Sequence, residues 1–225
     1  MLIDLIKIGF PKNCLSCSNA LVQNENYLCS SCYFYLPKGE LAMHNETDSG
    51  KLFEPLDSFV GAGHLFNFDK NGKTQQVLHE LKYNSNQDFG VYLGKLLGNE
   101  FFNILTHIDL IVPVPLHPKK QHQRGFNQSE LLARGISDVT NINISTNNLI
   151  RHRFTETQTK KNKSERKKNI AMAFEIINKL EFENKRIVIL DDVITTGSTL
   201  SECIKVLSQV QGIEISGLLL AKANF

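Results

Sequence analysis

The chain has 225 residues, 41% of them apolar, and its 25 basic and 23 acidic side chains leave a net charge of +2. This length allows one or two domains with a core of useful size, and so even a charge balance does not by itself indicate a nucleic-acid-binding protein. No stretch approaches the roughly 18 apolar residues that cross a bilayer, so we expect no membrane span.

The N-terminal residues 1–10 are apolar, but charged residues interrupt them and no small-residue cleavage site follows. The segment therefore lacks the features of a signal peptide. The spacing of Leu2, Leu5 and Ile6 predicts instead a short helix that docks on the rest of the chain. Without an export signal, we expect a cytoplasmic location, where cysteines stay reduced.

Four of the five cysteines form two C-x-x-C pairs, Cys14 with Cys17 and Cys29 with Cys32, separated by eleven residues. Two such pairs can turn four thiolates towards one tetrahedral Zn²⁺. The interval is short for this pattern but leaves room for a hairpin. A closed set of four thiolates favours structural zinc, with redox pairs and an iron–sulfur site as open alternatives. Cys203 lies alone in a helical pattern and is predicted to be buried.

The sequence predicts three regions. Residues 1–37 form an N-terminal helix and a small zinc-ribbon-like module. Residues 38–55 are polar and lack periodicity, which is typical of a linker. Residues 56–225 form a larger domain in which strand and helix patterns alternate, and this alternation predicts an α/β fold with a mostly parallel sheet flanked by helices.

Hydrophobic periodicity gives the elements of the larger domain. A near-continuous apolar run bounded by charge, such as 186–190, is typical of a buried parallel strand. Asn127 with Glu130 resembles a capping box at the start of a helix. The predicted strands are 59–68, 109–114, 148–151, 186–190 and 213–221, and the predicted helices are 74–83, 91–105, 127–139 and 198–210.

The segment 188–200, VILDDVITTGSTL, carries the chemistry. An apolar strand is followed by the carboxylates of Asp191 and Asp192 and by a short loop that leads into a helix near Ser198. Ligands of α/β sheets bind beyond the carboxyl ends of the strands, and a helix N-terminus offers free N–H groups to an anion. Gly197 allows close backbone approach. The segment therefore predicts a cradle for a monophosphate, beside two acids that can accept from sugar hydroxyls or hold a hydrated Mg²⁺.

An acidic strand end is also found in P-loop nucleotide hydrolases, which need G-x-x-x-x-G-K-[ST] elsewhere. Gly72, Lys73 and Thr74 supply G-K-T, but the first glycine of that motif would fall at Asn67. The residues in between, Phe68 among them, are poorly suited to a phosphate cradle. The sequence therefore lacks the phosphate-binding loop that a P-loop nucleotide hydrolase needs.

Residues 191–199 resemble the 5-phosphoribosyl-1-diphosphate (PRPP) motif of type I phosphoribosyltransferases. The resemblance implies that Asp191 and Asp192 are the catalytic acids and hold the ribose 2′- and 3′-hydroxyls. It also implies a loop that binds the 5′-phosphate, formed by Val193, Thr195, Thr196, Gly197, Ser198 and Thr199.

A second resemblance covers nearly the whole chain, from the four cysteines to about residue 221. It includes VPVPLHPKK and RGFNQ within 110–128, and R-H-R-F-T-x-x-Q from Arg151. Together these segments resemble the ComF family, including the ComFC competence proteins and the GntX-like proteins. The resemblance implies a phosphoribosyltransferase-type domain connected with DNA uptake.

Other residues of these segments suit an anionic ligand. Arg124 stands beside Gly125 and can contact a phosphate in bidentate fashion. The resemblance places Lys82 and Tyr83 where the transferase fold has its diphosphate loop. The charged stretch 163–168 is interpreted as a hood that closes over the ligand.

Two functions of different classes follow. The first is a Mg²⁺-dependent phosphoribosyltransferase acting on a phosphoribosyl small molecule, although no nucleobase-recognition element can be identified. The second is a non-catalytic competence protein that binds single-stranded DNA, works with other DNA-uptake proteins and retains a regulatory or vestigial phosphate site. Aromatic residues around the cysteines could stack on bases in the second case: Tyr27, Tyr33, Phe34 and Tyr35.

Overall fold

The structure is a computed structural model that describes residues 12–53, 56–83, 86–151 and 173–223. The predicted N-terminal helix and the predicted hood lie outside the described residues.

A parallel sheet of five strands forms the centre of the protein, in the order β1-β7-β6-β2-β3. Two further strands, β4 and β5, pair antiparallel as a separate ribbon. The α/β prediction with a mostly parallel sheet is therefore confirmed. The strands are β1 (Phe59–Asn67), β2 (Leu110–Pro113), β3 (Asn143–Ile144), β4 (Leu149–Arg151), β5 (Phe174–Ile176), β6 (Arg186–Ile194) and β7 (Glu214–Lys222).

Helices cover both faces of the sheet. The predicted helix 91–105 is two helices: Gln87–Glu100 begins earlier, where Asn86 caps it, and the short helix Phe102–Leu105 follows. The helix ending at Arg124 was not predicted; Pro118 opens it and His117 caps it. The helices are α1 (Ser30–Phe34), α2 (Lys73–Tyr83), α3 (Gln87–Glu100), α4 (Phe102–Leu105), α5 (Pro118–Arg124), α6 (Gln128–Thr140) and α7 (Ser198–Leu207), with 3₁₀ turns at Gly50–Leu52 and Lys179–Glu181. Within the described ranges, no helix has the length and apolarity to cross a membrane.

Two apolar clusters lie on opposite faces of the sheet. Successive side chains of a strand point to opposite faces, and in β6 Val188 belongs to one cluster while Ile189 belongs to the other. Helices α3 and α6 pack in the first cluster with their backbones close together, since a Cβ at Gly94 would lie 2.2 Å from the carbonyl oxygen of Leu132. Helix α7 packs in the second, where Cys203 is buried as predicted.

Residues 38–53, here called the strap, run along the outer edge of β1. Bridges join Lys38 to Phe66 and His44 to Ala62. Buried Ser49 and His64 are joined by a hydrogen bond of 2.9 Å between Oγ and Nδ1. The predicted linker thus packs on the sheet edge, and the division of the chain at residues 37 and 55 stays a prediction.

The small module that contains the four cysteines packs on the face of the sheet that carries the first apolar cluster. The ring of Tyr27 lies 5.6 Å from that of Phe89 and 5.2 Å from that of Tyr92, both on α3. Buried Cys14 and Cys32 belong to the same apolar cluster as α3. The module and the sheet domain therefore share a core.

Candidate functional site

Strand β6 passes through both acids and ends only at Ile194. The sequence pattern ends the strand at Leu190, but β7 continues beside it and pairs Asp191 with Leu219 and Ile194 with Lys222. The two carboxylates therefore belong to the last residues of β6 before the loop, where the sheet holds their backbone in place.

Asp191 is held by two donors. Its Oδ1 accepts a hydrogen bond of 3.1 Å from Oγ of Ser129 and one of 2.9 Å from the backbone N–H of Asp192. Burial, and next the charge of Asp192, raise the pKa of Asp191 to about 7, although these donors and Lys82 act in the opposite direction. Burial and the neighbouring carboxylate thus favour the protonated form of Asp191, and a cation brought near it would favour the carboxylate.

Lys82, in the last turn of α2, pairs with the buried Asp192 at 3.2 Å between Nζ and Oδ2. Tyr83 follows and is 62% exposed. The guanidinium carbon of Arg124 lies 5.5 Å from the centre of the Tyr83 ring, and Nη1 of Arg124 donates to Oε1 of Gln128 at 2.9 Å. The structure thus brings Lys82, which the resemblance placed near the ligand, into direct contact with an acid.

The loop after β6 leads into α7 as predicted. Gly197 is the N-cap residue of α7 with φ of +72°, and no side chain caps the helix. A Cβ at Gly197 would point towards the strap, 3.5 Å from both Leu52 and Phe53. The left-handed backbone is therefore one reason for glycine at this position, and the close approach of a ligand stays a prediction.

Asp191 and the loop border one small open cleft of about 50 Å³. Hydroxyl groups project at its rim, where Thr196 and Ser198 are exposed and their oxygens lie 3.2 Å apart. The backbone N–H groups at the start of α7 are left for an anion. The cleft is lined by Asp191, Val193, Ile194, Thr195, Gly197, Ser198, Thr199, Leu200 and Leu219.

Two residues at the start of α6 were not identified from the sequence as part of this site. Gln128 contacts Arg124, and Ser129 contacts Asp191. Their signal was the capping pattern at Asn127, whose side chain accepts from the backbone N–H of Ser129. This cap fixes the position of both neighbours.

The alternative phosphate site at Gly72 is already filled by the protein. Asp69 accepts hydrogen bonds from the backbone N–H groups of Lys73 and Thr74 at 3.1 and 2.9 Å. A carboxylate therefore caps the helix start that a nucleotide phosphate would need, which disfavours the nucleotide hydrolase.

The four sulfur atoms of Cys14, Cys17, Cys29 and Cys32 all lie within 4.8 Å of one another. Bonds of about 2.3 Å to a tetrahedral zinc ion would set the sulfurs about 3.8 Å apart, and those of Cys17 and Cys29 are 3.8 Å apart. The cluster can therefore hold a metal ion such as zinc.

Backbone N–H groups point at the same sulfurs. Those of Ser16 and Cys29 donate to Sγ of Cys14 at 3.4 and 3.3 Å. Burial alone would raise the pKa of Cys14, but these donors lower it to about 7. They favour the thiolate, which is the form that binds metals.

Comparisons with known proteins find relatives among competence and DNA utilization proteins. Competence protein F of Haemophilus influenzae is 40% identical over 116 residues, 49% of this chain and 49% of that protein. The DNA utilization protein YhgH of Escherichia coli is 30% identical over 210 residues, 90% of this chain and 86% of that protein. Competence protein ComFC of Bacillus subtilis is 26% identical over 197 residues, 84% of this chain and 75% of that protein.

No model of a protein family matches the chain. Among solved structures, the glutamine phosphoribosylpyrophosphate amidotransferase of B. subtilis is 22% identical, with a TM-score of 0.46 over 63% of this chain and 30% of that one. The argument for the family comes from the sequence relatives, because the similarity to YhgH extends over most of both proteins. The chain therefore belongs to the ComF family of competence and DNA utilization proteins.

Proposed function

We propose that this edge of the sheet binds a ribose 5-phosphate or PRPP-type ligand together with Mg²⁺, and that the protein serves DNA uptake. One observation carries the proposal: Asp191 on β6 and the uncapped start of α7 border a single cleft, and Asp192 follows Asp191 on the same strand. A ribose 5-phosphate carries hydroxyls at one end and a phosphate at the other, which matches acceptors at one end of the cleft and donors at the other.

In this proposal, Asp191 and Asp192 accept from the ribose hydroxyls, and 195–199 hold the 5′-phosphate. Lys82, Tyr83 and Arg124 lie on the side where a diphosphate on C1 would stand. Two carboxylates suit Mg²⁺, which binds through one or two carboxylates and ligand oxygens. The ion would neutralise the charge of a leaving diphosphate. The carboxylates themselves would stabilise positive charge that develops on the sugar.

A calorimetric titration with ribose 5-phosphate and PRPP, with and without Mg²⁺, tests the proposal directly. Binding of both ligands supports it, and binding of neither contradicts it. An assay for diphosphate release in the presence of nucleobases then separates the two classes. Release identifies a transferase, and binding without release identifies a regulatory site.

We predict that Arg124→Ala weakens PRPP binding about 10- to 150-fold, because a hydrogen bond to a charged group contributes about 1.5–3 kcal/mol. The matched control is Arg134→Ala, which removes an exposed arginine of α6. Calorimetry measures both variants. Equal affinity of the two would show that Arg124 is a surface charge.

We further propose that the metal of the four-cysteine cluster is Zn²⁺. A closed set of four thiolates with tetrahedral spacing is typical of structural zinc. Reduced thiols, which a cytoplasmic location would maintain, are a condition of this assignment.

A second candidate function, binding of single-stranded DNA, is favoured by one pair of aromatic residues on the module. Tyr27 packs on α3, and the hydroxyl of Tyr33 donates to Glu100 at 2.6 Å. By contrast, Phe34 and Tyr35 are 75% and 68% exposed. The ammonium group of Lys73 lies 5.1 Å from the centre of the Tyr35 ring. Exposed rings beside a cation are the elements with which proteins stack bases and attract phosphates.

We predict that Phe34→Ala combined with Tyr35→Ala weakens binding of an oligothymidine strand about fivefold to 150-fold, because base stacking contributes about 1–3 kcal/mol per base. Phe102→Ala, which removes a 45% exposed ring from α4, is the control and should have little effect. Fluorescence anisotropy at several salt concentrations measures the affinities. A double variant that binds like the control would exclude the ring pair.

A further inference from the structure

Gln128, the first residue of α6, is a buried amide with an incomplete set of hydrogen bonds. Only 2% of the residue is exposed. Its Oε1 accepts from Nη1 of Arg124, but its Nε2 has no hydrogen-bond partner among the described residues. Leaving a buried donor unpaired costs free energy, so this donor calls for an explanation.

The contact with Arg124 fixes which amide atom lacks a partner. A guanidinium group has only donors, so the amide atom that faces it must be the oxygen. Turning the amide over would set two donors against each other. The atom without a partner is therefore the NH₂ group, and what it lacks is an acceptor.

The neighbours of Gln128 belong to the candidate ligand site. Ser129, the next residue, donates to Asp191. Arg124 lies against Tyr83, which directly follows Lys82. The guanidinium of Arg124 thus contacts the Gln128 amide directly, and an acceptor that enters beside the two is best matched by an oxygen with negative charge.

We propose that Gln128 is a ligand-binding residue whose NH₂ group donates to an anionic oxygen of the bound ligand, beside the guanidinium of Arg124. The inference rests on the proposed function, because that oxygen would belong to the phosphorylated sugar or to its diphosphate. Gln128 also holds Arg124 in position, so the two residues act on the ligand as one unit. Together, Gln128 and Arg124 would select for a ligand oxygen that accepts a hydrogen bond, whereas a positive charge alone does not select for one.

Gln128→Glu is the decisive variant. It keeps the size of the side chain and an oxygen facing Arg124, and it replaces the free NH₂ group with a second oxygen. Gln123→Glu is the matched control, because it makes the same change of charge at an exposed position of α5. Inorganic diphosphate, titrated by calorimetry, is the probe. We expect Gln128→Glu to weaken its binding about tenfold or more, and Gln123→Glu to weaken it less than about threefold.

Each outcome decides the inference. Equal losses in the two variants, or a wild-type protein that does not bind diphosphate, would overturn it. Thermal unfolding shows whether Gln128→Glu is folded. If it is not, Gln128→Met, which removes both hydrogen-bonding groups without adding charge, takes its place under the same criterion. Ribose 5-phosphate, titrated in parallel, reports on the proposed function: if it binds and diphosphate does not, only the inference fails, and if neither binds, both fail.

Discussion

Cys14→Ser should abolish metal binding and unfold residues 12–36, while the parallel sheet remains. Four thiolates close the site, and structural zinc contributes about 10–16 kcal/mol to small modules of this kind. A serine hydroxyl cannot replace a buried thiolate. Elemental analysis should find one equivalent of zinc in the wild-type protein, and limited proteolysis should cut only the variant within the module.

The shared core adds a second expectation for this variant. Tyr27 packs on Phe89 and Tyr92, so an unfolded module exposes apolar surface of α3 and should lower the melting temperature of the remaining domain. Cys203→Ser is the control: it also replaces a buried cysteine, but one outside the cluster, and it should keep the metal. Wild-type protein purified without chelator and found free of metal would contradict the assignment.

Substitutions at the two acids and at the phosphate loop should have different effects on ligand binding. Replacing Asp191 and Asp192 with asparagine keeps their shape and removes their charge, so the gain in affinity that Mg²⁺ brings to PRPP should disappear. An asparagine oxygen at position 191 can still accept the hydrogen bonds that Asp191 accepts from Ser129 and from the backbone N–H of residue 192, so the variant should fold. Asp138→Asn, an exposed acid of α6, is the control.

Gly197→Val should instead weaken ribose 5-phosphate itself, with or without Mg²⁺, by about 100-fold, which corresponds to about 2.7 kcal/mol. A β-branched residue is strained at φ of +72°, whereas its Cβ would reach only ordinary van der Waals contact with Leu52 and Phe53. The loop would then move, and its hydrogen-bond donors would no longer point at the phosphate. A crystal soaked with ribose 5-phosphate gives the direct comparison, and phosphate density away from 195–199 would refute the site.

The sequence predicted those elements whose burial is apolar and periodic. β6 and α7 were predicted because their apolar residues recur with the period of a strand or a helix. The pattern ended β6 early because Asp191 and Asp192 are polar, whereas the strand continues because β7 pairs with it. Helix α5 escaped detection since none of its residues is buried. The packing of the strap was not predicted, because polar groups such as Ser49 and His64 hold it in place.

The candidate site also contains features that the sequence predicted and features that it did not. The acids and the loop are adjacent in the chain, so a local segment was enough to predict their cleft. The contact of Lys82 with Asp192 joins elements far apart in the chain, and only the family resemblance placed Lys82 near the ligand. The role of Gln128 depends on one hydrogen bond and one missing partner, and no sequence pattern carries that information.

The position of β1 in the sheet has a consequence for how the chain folds. Its inner edge pairs with β7, which joins Phe59 to Ile215 across most of the sequence. Contacts of such long range are slow to form, and β1 cannot find this partner until the ribosome has synthesised the chain through β7. Its outer edge, in contrast, is covered by the strap, which is made just before it. During synthesis, the strap thus shields one of the two edges through which a waiting strand would otherwise aggregate.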